Sequence, residues 1–224
     1  MFQNAAQHYW NLSCLVGGGS TQIQGRLHGG GFLLTPKHVV TARHVWAEIA
    51  HSYSWPVVLK YDGLFRCDVV AEDKAGDVLF LRVTDCVEKG DNRDEPTRYP
   101  QLHNEVPSIG RTVGLLTAIC MQDGSNGMKR YTTFSSASVS MMLWGEDAPL
   151  YALDGGIMQK GSSGGPVFTS DGSIVGIIVQ SWQFPVDLGH PQFRIETLPV
   201  MSALYHSADL IDDIQKEAGL SIGE

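Results

Sequence analysis

Gly161-Ser162-Ser163-Gly164-Gly165-Pro166 is the stretch whose reading decides the fold. Glycine alone has free access to positive φ, and it lets main-chain N–H groups approach a ligand with no side chain in the way. Glycines around a serine therefore describe a small cup of N–H donors with a hydroxyl at its rim. Such a cup suits attack on a carbonyl and capture of the resulting oxyanion. A Gly/Ser turn between two strands has the same composition, so the stretch by itself does not separate a nucleophile from a connector. The residues that separate them lie far upstream.

The chain has 224 residues, 43% hydrophobic and 18% charged, enough for one large domain or two small ones with a sizeable core. Its 10 prolines and 25 glycines, scattered along the length, suit a β-rich and turn-rich protein. A net charge of −8 argues against nucleic-acid and anionic-membrane partners, which favour a basic face. No apolar run is long enough to span a bilayer. The start, Met1-Phe2-Gln3-Asn4-Ala5-Ala6-Gln7-His8, has neither the basic n-region nor the apolar h-region of a signal peptide. Cys14, Cys67, Cys86 and Cys120 lack C-x-x-C spacing. Without export they are expected as reduced thiols in a cytoplasmic protein, with no metal and no cofactor.

Short apolar runs broken by glycine and polar turns begin at Leu12. Leu15-Val16 reads as a strand followed by a turn at Gly17-Gly18-Gly19-Ser20. Residues 23–27 and 31–34 read as a strand pair, Val39-Val40-Thr41-Ala42 as a short strand, and Arg43-His44-Val45-Trp46-Ala47-Glu48 as a brief helical turn. Asp62-Gly63 marks a hairpin between residues 56–61 and 64–70, and the nearly continuous apolar run Val78-Leu79-Phe80-Leu81-Arg82-Val83 reads as a buried strand. Residues 88–108 are charged, turn-rich and aperiodic, a linker between two halves. Further strands are expected at 112–118, 131–142, 166–168, 173–179 and 193–198. At the end, Ser207 is placed to cap a helix with Asp209, Asp212 and Asp213 in its first turns, Leu210, Ile211, Ile214 and Ala218 on its apolar face and Gly219 as its stop.

A nucleophilic serine needs a base, and the base needs a partner that fixes its tautomer. Among eight histidines, His44 stands out because it follows a short apolar strand and begins a tight turn. Asp77 heads the apolar strand Val78-Leu79-Phe80-Leu81, where a partly buried carboxylate must find a donor. Each alone is unremarkable and reads more readily as a structural or surface residue than as a catalytic one.

Together these segments resemble a known family. Gly30-Gly31-Phe32-Leu33-Leu34-Thr35 leading to Val40-Thr41-Ala42-Arg43-His44-Val45 is similar to the histidine region of chymotrypsin-fold serine proteases. Asp73-Lys74-Ala75-Gly76-Asp77-Val78-Leu79-Phe80-Leu81-Arg82-Val83 resembles their aspartate segment, residues 161–166 their nucleophile loop, and Ile174-Val175-Gly176-Ile177 the strand after it. The nearest style is the compact bacterial HtrA-like or trypsin-like group, over roughly residues 12–205. The resemblance implies an all-β fold of two six-stranded antiparallel barrels with a C-terminal α-helix. Residues 1–105 would carry the histidine and aspartate, and residues 106–224 the nucleophile and the helix. It implies a serine endopeptidase acting through a covalent acyl-enzyme. Ser163 is then the nucleophile, His44 the general base, Asp77 its orienting acid, and the N–H groups of Gly161 and Ser163 the oxyanion hole. The substrate would be a protein or peptide.

Departures from the family pattern carry information. Ser162 stands where zymogen members carry the aspartate that pairs with a new N-terminus, and Val45 stands where secreted members carry a cysteine. Both favour a non-zymogen enzyme without disulfides. Ile157, six residues before Ser163, takes the place of the pocket-base residue of trypsin-like members, so an apolar P1 is expected. The pocket would be walled by Ile157, Met158, Gln159, Lys160, Val179, Gln180 and Ser181, with His190 at its rear. Only a short stretch follows the second barrel, so no C-terminal peptide-binding domain is expected. Any control then falls to loop order (residues 88–108 and 121–130), to homo-oligomerisation or to a regulatory protein partner. The chief alternative is a latent or inactive trypsin-like fold serving as a peptide-binding scaffold, and a viral processing protease would look the same. A G-x-S-x-G elbow, with Asp187 and His190 or His206 completing a triad, requires a helix after the serine. Gly164-Gly165-Pro166 is a poor start for one.

Overall fold

The apolar runs and turns fold as two closed antiparallel barrels of six strands each, as the family resemblance implies. The computed structural model describes residues 2, 6, 9, 12–20, 23–90, 96, 98–103, 105, 107–122, 128–144, 148–187 and 193–219. The first barrel comprises β1 (Ser13–Ser20), β2 (Ile23–Leu33), β3 (His38–Ala42), β4 (Trp55–Lys60), β5 (Gly63–Asp73) and β6 (Val78–Lys89). Its strand order is β1-β2-β3-β6-β5-β4. The second comprises β7 (Thr112–Gln122), β8 (Met128–Trp144), β9 (Pro149–Asp154), β10 (Pro166–Phe168), β11 (Ile174–Asp187) and β12 (Phe193–Ala203), in the order β10-β11-β12-β9-β8-β7. A short helix, α1 (Arg43–Ala47), follows β3. A 3-10 turn (Leu204–Ser207) leads into the C-terminal helix α2 (Ala208–Glu217).

Burial follows from position in this architecture. Every residue of β3 is buried, because the strand lies between β2 and β6 and against β11 of the other barrel. In β6 only Val78, Leu79, Phe80 and Leu81 are buried, and the strand then runs out to Lys89 at the surface. One apolar cluster joins the first barrel's interior (Phe32, Val40, Phe80) to Leu116, Phe168 and Ile177 of the second and to Ile211 and Ile214 of α2. A second cluster, including Val113, Leu115, Val139 and Leu153, fills the second barrel.

The segment before β1 also ties the halves together. Tyr9 is fully buried, its ring stacks on Phe168 at 4.6 Å, and its hydroxyl donates to Gly172 O at 2.7 Å. Ser13 Oγ, at the start of the first barrel, donates to Tyr9 O at 2.8 Å.

Several sequence-based expectations change. Gly17, Gly18 and Gly19 form strand rather than turn: Gly17 and Gly18 pair with Leu27 and Arg26 of β2, and all three pair with Val57, Pro56 and Trp55 of β4. Steric room explains them: a β-carbon at Gly18 would lie 2.4 Å from the Tyr53 ring. The two runs at 23–27 and 31–34 are one continuous strand, β2, to residue 33. Strand β9 adds a strand that the sequence pattern does not mark. The stretch 88–108 begins with two strand residues, since β6 continues to Lys89. Likewise β7 and β8 take in 121–122 and 128–130 of the polar loop at 121–130.

Ser207 occupies the N-cap position of α2 but makes no capping hydrogen bond. Its Oγ donates instead to Asp73 Oδ2 at 2.8 Å, and a forgone cap of this kind costs a helix about 1 kcal/mol. Gly219, with φ +70, does stop the helix, its N–H donating to Lys216 O. Cys14, Cys67 and Cys86 are thiols, and burial pushes the Cys67 thiol far up; the side chain of Cys120 lies outside the described residues. No described helix is long and apolar enough to cross a membrane.

The glycine run in β1 supplies a test. Gly18→Ala should destabilise the protein by about 1–3 kcal/mol in urea unfolding, the usual cost of overpacking. An unchanged midpoint would mean that the Tyr53 ring is not what excludes a side chain there.

Candidate active site

The site grows out of two turns of the first barrel. β3 ends at Ala42 in extended geometry, and the chain then turns into α1, which carries His44. The turn between β5 and β6 carries Asp77, whose main-chain O accepts from Arg43 N–H at 2.8 Å. Asp77 Oδ1 accepts from His44 N–H at 2.9 Å and Oδ2 from the ring at Nδ1, 2.6 Å away. An ionised carboxylate only accepts, so the Nδ1 position carries the hydrogen and Nε2 is left with its lone pair. Backbone and ring of one histidine are thus held by the two oxygens of one aspartate.

Asp77 is the one non-glycine among the described residues with a positive φ, 55°. Asp tolerates this left-handed conformation better than most residues, yet it persists only where the surroundings over-determine it.

The His44 pKa is the outcome of opposed forces. Burial disfavours the charged ring, but the Asp77 hydrogen bond, the Asp77 charge and the Glu48 charge outweigh it, and the net shift is upward. With both side chains 31% exposed, the pair remains open to solvent and to a reacting partner.

Ser163 approaches from the second barrel on a loop pinned by main-chain bonds. Gly164 N–H donates to Ile178 O at 2.7 Å, Ile178 N–H to Gly165 O at 2.9 Å, and Gly30 N–H of β2 to Ser163 O at 2.7 Å. Thr41 Oγ1, three residues before His44, donates to Gly30 O at 2.7 Å. Gly164 has φ +87, and a β-carbon on it would lie 2.1 Å from Gly30 O, so glycine is required twice over. A β-carbon at Gly29 would lie 2.6 Å from a Val45 methyl and 3.1 Å from Ser163 O. The helix carrying His44 and the loop carrying Ser163 therefore meet across a glycine.

Ser162 is fully buried, unlike Ser163. Its Oγ accepts from Gln159 N–H at 2.9 Å, and its own N–H donates to Gln159 O at 3.0 Å. Within the described residues the N–H groups of Gly161 and Ser163 have no partner, whereas those of Ser162, Gly164 and Gly165 all do. Ser163 Oγ and His44 share no hydrogen bond. The loop runs into β10, a strand, so the helix of a nucleophile elbow is absent at this serine.

The residues expected around the pocket are spread more widely. Ile157 is 55% exposed, with its N–H donating to Ser135 Oγ at 3.1 Å. Met158 packs against the second barrel's core, Gln159 and Lys160 are exposed, Val179 is buried, and Gln180 and Ser181 are exposed. His190 lies outside the described residues. Among the described residues no group of three or more His, Cys, Asp or Glu side chains is placed to hold a metal ion.

Three contributors escape the sequence reading. Gly30 and Thr41 act through long-range contacts that leave no local pattern. Asp73 accepts from Gly76 N–H at 3.1 Å, and an aspartate three residues before a glycine in a turn is a local signal that would have marked it.

Paired six-stranded barrels, with His and Asp at the edge of the first and a glycine-flanked serine from the second, define the chymotrypsin-like class. Residues 29–177 match the trypsin-like peptidase domain, and the chain belongs to this family. Among solved structures the chain is similar to the Rv3671c protease of Mycobacterium tuberculosis in its active form. The two share 20% identity over 92% of this chain and 82% of that one, with a TM-score of 0.60. An inactive-form mutant of the same protease matches at 19% identity over 94% and 91%, TM-score 0.59. The HtrA-type protease AlgW with a decapeptide matches at 12% over 97% and 68%, TM-score 0.64. No curated relative matches the sequence.

The His44–Asp77 pair can be tested directly. The imidazole of His44, followed by NMR, should titrate above the ordinary value of about 6.5. In Asp77→Asn the midpoint should fall, because the hydrogen bond and charge that overcome burial are lost. A wild-type midpoint at or below the ordinary value would contradict the geometry.

Proposed function

We propose that the protein is a serine endopeptidase in which Ser163 is the nucleophile, His44 the general base and then acid, and Asp77 the group that orients His44. The carrying observation is the two-point hold of Asp77 on His44 beside a loop whose glycines bring Ser163 to the barrel seam. With the hydrogen on Nδ1, Nε2 takes the Ser163 proton as Oγ bonds to the substrate carbonyl carbon. The imidazolium then protonates the departing amine, leaving an acyl-enzyme, and water repeats the sequence in reverse order. The N–H groups of Gly161 and Ser163, which have no partner among the described residues, are the donors for the oxyanion. Ser163 and His44 share no hydrogen bond here, and such contacts often tighten only when substrate binds.

The P1 preference we assign is apolar. It rests on Ile157, which offers an uncharged surface open to solvent, and on the absence of an acid at that position. Ser162 excludes the zymogen ion pair.

A fluorophosphonate probe tests the reading. The wild-type protein should be labelled, and Ser163→Ala should lose both labelling and about 10⁶ of the rate on a peptide with an apolar P1. A folded wild-type sample that does not label would favour the peptide-binding scaffold instead. Cleavage chiefly after Arg or Lys would overturn the assignment of Ile157.

A further inference from the structure

The acid turn that carries Asp77 is tied to the far end of the chain. Asp73 uses both carboxylate oxygens: Oδ1 accepts from Gly76 N–H at 3.1 Å, and Oδ2 accepts from Ser207 Oγ at 2.8 Å. Ser207 lies 134 residues away in sequence, at the entrance to α2, and is almost fully buried. We propose that Asp73 is a positioning residue for Asp77, anchored by Ser207, so that docking of the C-terminal helix helps to hold His44 in register. This rests on the triad reading above.

Three observations carry it. First, Asp77 has a left-handed backbone that needs external restraint. Its own turn closes only weakly, with Asp77 N–H to Lys74 O at 3.3 Å. Asp73 supplies restraint on one side of the turn by holding Gly76, the residue before Asp77, and Arg43 N–H supplies it on the other. Second, Ser207 forgoes its own helix, whose first turn it is placed to cap, and gives its hydroxyl to a different barrel. Third, the turn is seated against β12: a β-carbon at Gly76 would lie 3.0 Å from Asp73 Oδ2 and 3.1 Å from Ser202 Oγ. The acid turn of the first barrel therefore rests on the second, and Asp73 lies at the junction.

The charges that act on His44 are those of Asp77, from the turn, and of Glu48, next to its own helix. Asp73 reaches the ring only through the position of Asp77. Ser207→Ala removes no charge at all, so it separates positioning from electrostatics.

The experiment compares the wild type with Ser207→Ala, Asp73→Asn and Asp73→Ala on two readouts. One is kcat per Ser163 labelled by the fluorophosphonate probe, with KM measured alongside. The other is the NMR titration of His44. Asp73→Ala should lower kcat per labelled site about tenfold or more with KM little changed, since small misplacements of a reacting group cost up to about 10²-fold. Ser207→Ala and Asp73→Asn should act in the same direction and more weakly. In each the His44 midpoint should fall towards its ordinary value. A lower melting temperature with unchanged kcat per site and unchanged titration, in Ser207→Ala and in either folded Asp73 variant, would reduce the tie to a structural one and overturn the proposal. If the wild type neither labels nor cleaves, the peptidase reading fails separately, and the His44 titration still decides whether Asp73 positions Asp77.

Discussion

The structure depends on one main-chain contact: Gly30 N–H of the first barrel donating to Ser163 O of the second at 2.7 Å. Two backbones reach hydrogen-bond distance only where no side chain intervenes. The positions around this contact are Gly29, Gly30, Gly164 and Gly165: a β-carbon at Gly164 would strike Gly30 O across the seam, while one at Gly29 would strike the Val45 methyls and one at Gly165 Leu116 O, each within its own barrel. Thr41 then accounts for the Gly30 carbonyl, and three residues later the chain presents His44. The seam thus joins the barrel that carries His44 and Asp77 to the loop that carries Ser163, and the apolar cluster that crosses from Phe32 and Phe80 to Phe168 and Ile177 keeps it closed.

Around that seam, the electrostatics are settled by competition rather than by any one charge. Burial alone would keep His44 neutral, but Asp77 offers one oxygen to the main chain and one to the ring, and the upward shift wins. The same arrangement selects the tautomer, leaving Nε2 with its lone pair. Its cost is a left-handed backbone at Asp77, which the structure sustains by bonds from Arg43 and, through Gly76, from Asp73. Rigidity of the acid turn and basicity of the histidine are two consequences of one set of contacts.

Much of this was legible in the chain itself. The segments around His44, Asp77 and Ser163, in that order, resemble those of chymotrypsin-fold proteases, the resemblance implies paired barrels, and both barrels are present. What misled was local chemistry read without its neighbours. Gly17-Gly18-Gly19 has the composition of a turn, yet these residues are strand paired with β4, and Tyr53, Trp55 and Val57 occupy the space that side chains at Gly18 and Gly19 would need. Ser207 has the type and place of a helix cap, yet its hydroxyl serves a carboxylate in the other barrel. Strand β9, Pro149–Asp154, begins with proline and ends with aspartate, and it is a strand because β8 and β12 flank it.

By itself the sequence determined which chemistries are on hand: a serine among glycines, a histidine after an apolar strand, an aspartate before one. Such signals are local, since residue type and spacing along a few positions are enough to express them. Only the tertiary structure decided which hydroxyl is sequestered: Ser162 turns inward to Gln159, while Ser163 stays partly exposed at the seam. It also decided that Asp73 and Ser207, separated by 134 residues, share a hydrogen bond. Contacts of that range depend on how two closed barrels settle against each other, and packing of that kind leaves no periodicity for a sequence to display.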